Sequence, residues 1–471
     1  MNSPSSASVT IRRSRLARRT LWLLIGGAPI LLILIAAVVI VLRFQLQSRA
    51  AQTAIDAEIK RVEAAGEPIT IDDLYAYHRV PSGKPDTTAA WLEVLKSVDE
   101  TKIRAGRELP IIGIGDESLL RPDVPGSVAT EVEQFLSQFD ETLEGAHAAA
   151  KLKGECRIPF EFDDGILMSI GTMQQIRLLL YLEQLELRQR LYDHNTTGAL
   201  ESVDTILATG HILEHQVSIT EQLVRLNVLS AALREAQLIV NHVQLSENQL
   251  AKLQNELQFF DLKESFTRGV LGDRAVIDDH VHGNPRLFET LQDEPVGKVI
   301  KLRGELYLGR LSARRFFLET MAELIEASRH PFPKALKRSA EIEDRVHALA
   351  DAKNRLEQMK YSTALLVVPA VEVALIATAT RTAERNLMVA AIAAERYRLE
   401  AGDHPDDLLQ LVPKYLPAVP ADPFDGQPLR LNKTEGELLL YSISEDGRDD
   451  EGGDEDIIVR IQTAKGKSVT P

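Results

Sequence analysis

The chain is poor in cysteine, poor in aromatic residues and short of positive charge. Cys156 is the single cysteine among 471 residues, which excludes an intramolecular disulfide framework, a CxxC redox pair and a Cys-rich zinc site. Aromatics make up 5% of the chain, too few for rows of stacking platforms under single-stranded nucleic acid. Lys and Arg number 54 against 69 Asp and Glu, a formal net charge of −15. Binding a phosphate backbone needs clustered cations, so no nucleic-acid partner is expected. What the chain does have is apolar mass: 44% hydrophobic residues, enough at this length for two or three domains with a substantial core.

The longest apolar run, Leu21 to Leu42, is broken only by Gly26, Gly27 and Pro29. At about 1.5 Å per residue it can cross a hydrocarbon core of roughly 30 Å. Arg12, Arg13, Arg15, Arg18 and Arg19 precede it without an acid among them, and Arg43 and Arg49 follow. The stronger positive cluster stays in the cytoplasm. The expected layout is therefore a basic cytoplasmic tail (1–20), one transmembrane helix (21–42) and a bulk outside the cytoplasm, as in a single-pass protein of a bacterial inner membrane. A cleaved signal peptide would have an apolar core of about 7–15 residues ending in small residues, whereas Arg43-Phe44-Gln45-Leu46-Gln47 follows here. A second apolar stretch, Thr363–Ala379, contains Glu372 and Pro369 and reads as a buried helix starting near Pro369, not as a second span.

Between these stretches the periodicity is helical. A stalk helix over Gln52–Ala65 ends at Gly66 and Pro68, and a proline-punctuated segment with one short helix, Asp86–Thr101, completes a region 43–126. A helical domain, 127–380, follows, with helices expected over Ser127–Leu152, Ile166–His194, Thr197–His215, Ser218–Val243, Pro295–Ser328 and Pro333–Lys360. Ser246-Glu247-Asn248-Gln249 has the form of a capping box, with Ser246 as N-cap. The best strand signal in this region is Cys156–Phe162.

The sharpest chemical motif is His211-Ile212-Leu213-Glu214-His215, an H-x-x-E-H pattern. On a helix, histidines four apart share a face and can reach one zinc, with the Glu as general base. A third ligand could come from Asp278, Asp279, His280, His282 or Glu289. The competing reading places both histidines at the edge of the buried stripe marked by Val203, Ile206, Leu207 and Val217. Gly466-Lys467-Ser468 lacks the glycine and the helix of a phosphate loop and reads as part of a tail, 462–471. Cys156 flanks a short apolar run and reads as packed, not reactive.

The character changes after Arg381. A helix over Thr382–Glu400 is stopped by Gly402 and Pro405, and prolines 417, 420 and 423 lead to a turn at Phe424-Asp425-Gly426-Gln427-Pro428. Strands follow over Leu429–Asn432 and Leu438–Ile443, then an acidic, glycine-bearing loop and a last strand, Ile457–Ile461. From Glu435 to Asp456 the bases are outnumbered by Glu435, Glu437, Glu445, Asp446, Asp449, Asp450, Glu451, Asp454, Glu455 and Asp456, with Arg448 alone opposing them.

This ordered set resembles the globular end of the type II secretion major pseudopilins over residues 381–461. The matching positions are Tyr397, Gly402, Pro405, Pro420, Asp422, Pro423, Gly426, Pro428, Tyr441, Ser442, Asp446, Gly447, Gly452, Gly453, Asp456 and Ile457. The resemblance implies a small α+β module whose acidic loop holds calcium, with Asp446 and Asp456 as ligands and Asp450 or Asp454 beside them. Calcium takes about six to eight oxygens, which a glycine-spaced loop can bring together. Ser444 stands where that family has glycine, and Arg448 rules out an EF-hand spacing. A pseudopilin's leader and processing site are not found ahead of the apolar run, so a filament subunit is not expected. The whole layout is similar to helix-rich, single-anchor bacterial envelope proteins, a likeness that implies no activity. The fold class expected is mainly α. The function expected is a non-enzymatic, single-span envelope protein with a protein-interaction or assembly role tied to a secretion-type system, with a membrane-anchored zinc hydrolase as the alternative.

Overall fold

The computed structural model describes residues 45–115, 128–160, 170–283, 307–351, 361–434 and 436–462, with 35, 36, 38, 39, 42 and 43. Among the described residues the chain is mainly helical with one small sheet. It divides into two compact units, Met1–Lys60 and Arg61–Pro471. Most of the expected span 21–42 lies outside the described residues; those of its positions that are described are helical, as are residues 45–60. Within this first unit, Gln52 Nε2 donates to Asp56 Oδ1 at 2.7 Å and the Thr53 hydroxyl to the Arg49 carbonyl at 3.0 Å.

The second unit begins as helix ends near residue 64 and Gly66 turns the chain at φ +69°. Five short helices come first: α1 (Ile71–Tyr77), α2 (Thr88–Ser97), α3 (Glu100–Ala105), α4 (Ala129–Leu136) and α5 (Asp140–Ala150). Two expected single helices are each split. Val98 is extended and Asp99 accepts from the Lys102 amide, so a second helix starts where Asp86–Thr101 was expected to continue. A 3₁₀ turn at Ser137–Phe139 likewise divides Ser127–Leu152. The strand expected at Cys156–Phe162 does not form over 156–160. Glu155 pairs with the 85–87 backbone in one isolated bridge, and Pro159 has no amide to extend a ladder.

The body is made by α6 (Ile170–Tyr192), α7 (Thr196–His211), α8 (Ile219–His242), α9 (Glu247–Gln258) and α10 (Lys263–Ile277). Their starts follow from local chemistry. Asn195 accepts from Gly198 N, Ser218 from Thr220 N, and the Ser246–Gln249 capping box has both of its bonds. One hydrophobic cluster runs from Trp91 through Leu182, Ile206, Leu229 and Leu253 to Leu438 and Ile461. Helices α11 (Tyr307–Arg329) and α12 (Phe332–Asp351) pack on the last helix, α13.

Helix α13, Ser362–Ala401, is the longest described element. It corrects the expectation of a start near Pro369: the helix begins seven residues earlier and carries Pro369 inside it. An interior proline costs about 3 kcal/mol. That cost is outweighed by burial of Ala364, Val367, Val368, Val371, Ala374 and Leu375, since each fully buried Val or Leu side chain contributes about 1.5–3 kcal/mol. Residue 381, the expected start of the C-terminal module, lies within the same uninterrupted helix. Among the described residues α13 is the one helix long and apolar enough to cross a membrane, and half of its most apolar window is buried inside the protein.

Gly402, at φ +85°, stops α13 and donates to the Arg398 carbonyl at 2.9 Å. Three antiparallel strands follow in the order β1 (Arg430–Lys433), β2 (Glu437–Ser442) and β3 (Ile457–Gln462), with Leu431 opposite Leu440 and Leu440 opposite Val459. The sheet lies on α13, and β3 also meets α8.

One buried acid gives the body a pH dependence. Glu183 on α6 is fully buried; Oε1 accepts from Thr209 at 2.8 Å and Oε2 has no partner among the described residues. Burial pushes its carboxyl up to about 8, against the hydrogen bond from Thr209 and with the added repulsion of Glu186. The native state therefore holds a proton that the unfolded chain has shed above its carboxylate pKa. Stability from this group is present below about pH 4.5 and falls as pH rises toward 8, by up to about 1.4 kcal/mol per pH unit. Urea denaturation of Glu183→Gln across this window should give a flatter pH profile than wild type, and an identical profile would refute the assignment.

Candidate functional site

Two regions hold the residues singled out by sequence, and neither has quite the expected form. In the first, α7 ends at His211, so residues 212–215 form a turn and the H-x-x-E-H pattern does not lie on one helix face. The close approach of Gly210 to Phe260 and the Arg225 guanidinium, which donates to the Gly210 carbonyl, cap the helix there. His211 Nδ1 lies 3.2 Å from Glu214 Oε2, and its ring packs on Phe260 at a centroid distance of 4.3 Å. His215 Nε2 instead faces Glu155 Oε2 at 3.8 Å.

The electrostatics separate the two groups. Burial alone would raise the Glu214 carboxyl, but the His211 hydrogen bond and the Arg225 charge pull it down to about 2. Burial, reinforced by Arg157, pushes His215 down to about 4, so its imidazole is neutral at ordinary pH. These side chains line one end of a cavity of about 780 Å³, bounded by α5, α7 and α9. Cys156 also lines it; burial pushes that thiol up to about 12, which makes it an inert wall group.

Two of the proposed third ligands, Asp278 and His280, are engaged elsewhere. Asp278, at the start of a π-helical turn, receives Arg314 Nη2 at 2.7 Å, and His280 Nδ1 contacts the Val276 carbonyl at 2.9 Å. The His282 side chain, Glu289 and the Gly466-Lys467-Ser468 tail lie outside the described residues. Among the described residues no three His, Cys, Asp or Glu side chains converge as a metal site.

The second region is the loop between β2 and β3. Asp446 Oδ1 accepts from Arg448 N at 3.0 Å, and Asp449 Oδ1 from Glu451 N at 3.0 Å, two Asx turns. Ser444, in the place of the family's glycine, takes the left-handed conformation at φ +58°. Asp450 and Asp454 are exposed and are not brought together with Asp446. Asp456 differs. It is 7% exposed; Oδ2 accepts from Gly452 N at 2.8 Å, while the buried Oδ1 has no partner among the described residues.

The residue that organises this region was not picked out by sequence reasoning as a site. Asp422 is 1% exposed and accepts four hydrogen bonds, from Ser442 Oγ, Phe424 N, Ile443 N and Arg430 Nη1, all between 2.8 and 3.0 Å. Arg430 extends the network to Asp425 and Asp449. Its sequence signals were the Asp-Pro pair at the turn and its place among the pseudopilin-like positions, neither of which marks it as a ligand or a catalytic group. Comparison of the chain with protein-family models, with curated proteins and with solved structures finds no match.

Proposed function

We propose that the chain is a single-span protein of a bacterial cell envelope, anchored by its N-terminal apolar run, with its bulk outside the cytoplasm and acting through protein contacts. In this reading the C-terminal helix-and-sheet module is a docking or assembly element, and calcium stiffens its acidic loop. The observation that carries it is the order of that module. A long helix is followed by a three-stranded antiparallel sheet lying on it, with the acidic loop joining the last two strands. The same order accompanies the pseudopilin-like pattern of glycines, prolines and aspartates.

The fit to calcium rests on Asp456. A buried carboxylate oxygen without a partner is costly unless something positive meets it. Asp456 would hold the ion from the sheet side, and Asp446, Asp450 and Asp454 are the other carboxylates of the loop. Bound calcium would supply charge neutralisation and cross-linking of the loop, not chemistry.

Proteolysis of intact spheroplasts tests layout and ion together. Cleavage within residues 381–461 is expected without lysis, and calcium at about 1 mM should slow cleavage of the 443–456 loop in wild type but not in Asp456→Asn. A module cut only after lysis would overturn the layout. A loop whose cleavage ignores calcium would remove the ion and leave the layout standing.

A further inference from the structure

The cavity between α5, α7 and α9 plays no part in that reading, and one wall of it carries three groups in series. His147 on α5 stands between Thr205 on α7 and Glu186 on α6. Its Nδ1 lies 2.7 Å from the Thr205 hydroxyl, and its Nε2 lies 2.8 and 3.1 Å from the two oxygens of Glu186. Glu186 is itself held, by Arg190 at 2.8 Å and by the Ser202 hydroxyl at 3.0 Å. A hydroxyl, an imidazole and a carboxylate in this order are the parts that make an alcohol a nucleophile.

The proton positions follow from these partners. A carboxylate only accepts, so Nε2 of the neutral ring carries the proton and Nδ1 keeps a lone pair toward Thr205. The Thr205 hydroxyl has one proton and two acceptors in reach, and the imidazole is nearer than the Glu201 carbonyl, 3.0 Å away. Thr205 and His147 are only 1% and 7% exposed, and both line the cavity, so a molecule held there meets them away from bulk water.

The rest of the lining limits what can enter. A volume of about 780 Å³ falls within the range of small-molecule sites. Trp91, Leu207, Ile212 and Leu253 form an apolar wall, each no more than 3% exposed. The buried charges are spent on one another: Glu155 pairs with Arg157 and Lys84, and Glu201 with Lys151 and Arg190. Asp204 pairs with Lys252, and Glu214 with His211. Such a lining favours an uncharged, largely apolar body.

We propose that this cavity is an acyl-transfer site that hydrolyses neutral carboxylic esters with an apolar acyl group, with Thr205 as nucleophile, His147 as base and Glu186 as positioning residue. Thr205 Oγ attacks the ester carbonyl carbon as its proton passes to His147 Nδ1. The bond from that carbon to the alcohol oxygen then breaks, and the alcohol leaves with the proton. Water, giving its proton to the same nitrogen, attacks the acyl-threonine, which releases the acid and restores the hydroxyl. Lys151 lies one turn past His147 and is bound to Glu201, one turn before Thr205. It brings a positive charge to the same wall, suited to the carbonyl oxygen that turns negative.

Two measurements on the detergent-solubilised full chain test this: turnover of 4-nitrophenyl butyrate, and labelling by a fluorophosphonate with the adduct located by mass spectrometry. Folded wild type is expected to turn over the ester faster than the heat-unfolded chain and to carry the adduct on Thr205. Thr205→Val should lose both properties, and Thr205→Ser should keep them. Glu186→Gln should lower kcat about a hundredfold and leave KM unchanged, a split that partial unfolding does not produce. Wild type without turnover, or with its adduct on another residue, would overturn the proposal. So would wild-type turnover by Thr205→Val with an unchanged melting profile. The wild-type measurements decide the matter even where a variant fails to fold, and none of these outcomes bears on membrane layout or calcium.

Discussion

Replacing Gly272 by alanine is expected to cost about 3 kcal/mol of folding stability, the upper end of ordinary overpacking. A Cβ built at Gly272 on α10 would sit 1.8 Å from the Val217 carbonyl oxygen, and one at Gly269 would meet Ile219 N at 3.0 Å. The two glycines let α10 lie directly on the backbone that joins α7 to α8, where Val217 is fully buried. Asp273 seals the contact by accepting from Ile219 N at 3.2 Å. A side chain in the way could rotate, but a buried backbone carbonyl must take its whole segment with it. Alanine's better helix propensity returns only about 1 kcal/mol. Gly171 on α6 is the control, since a Cβ there meets nothing within 4 Å. Urea midpoints should fall sharply for Gly272→Ala and change by less than about 1 kcal/mol for Gly171→Ala. Equal midpoints for the two variants would show that α10 can retreat without loss.

Removing the Asp422 carboxylate should cost about 3–5 kcal/mol, because a buried charged partner is lost and several donors are left behind. In Asp422→Ala the Ser442 hydroxyl and the Ile443 and Phe424 amides lose their acceptor, and Arg430 keeps only Asp425 and the half-exposed Asp449. Asparagine keeps the shape but presents an NH₂ toward donors on one side, so Asp422→Asn should recover only part of the loss. The readouts are the thermal midpoint and amide exchange at Ile443, which should become faster in both variants. Wild-type exchange at Ile443 in Asp422→Ala would mean that the sheet does not depend on this carboxylate.

Much of the helical order was legible because helix starts are local events. Ser218, Ser246 and Asn195 cap the helices that follow them, as their side chains allow whatever the rest of the chain does. The strands were legible for a similar reason, since turn residues bracket the short segments at 430–433, 437–442 and 457–462, the last two of them mainly apolar. What escaped reading depended on partners distant in sequence. Pro369 looked like a helix start because its cost is local, whereas the burial that offsets it comes from α11 and α12. The H-x-x-E-H pattern looked like a helix face because the cap that ends α7 is Arg225, on the next helix. At the acidic loop, the spacing of aspartates said nothing about which one is buried. The sheet decides that: it covers Asp456 and leaves Asp450 and Asp454 in water.

The contact between α8 and β3 has a further consequence. β3 is an outer strand, and an outer strand normally offers a free row of amides and carbonyls to any passing chain. Here Asn241 and Gln237 donate to the Arg460 carbonyl at 3.0 and 2.9 Å, and Asn241 Oδ1 accepts from Gln462 N at 3.0 Å. One asparagine thus does the pairing of an absent neighbour, and that border of the sheet is shut. A strand arriving from another molecule would find room only beside β1, a border four residues long. Any assembly that grows by extending this sheet is thereby given a single direction.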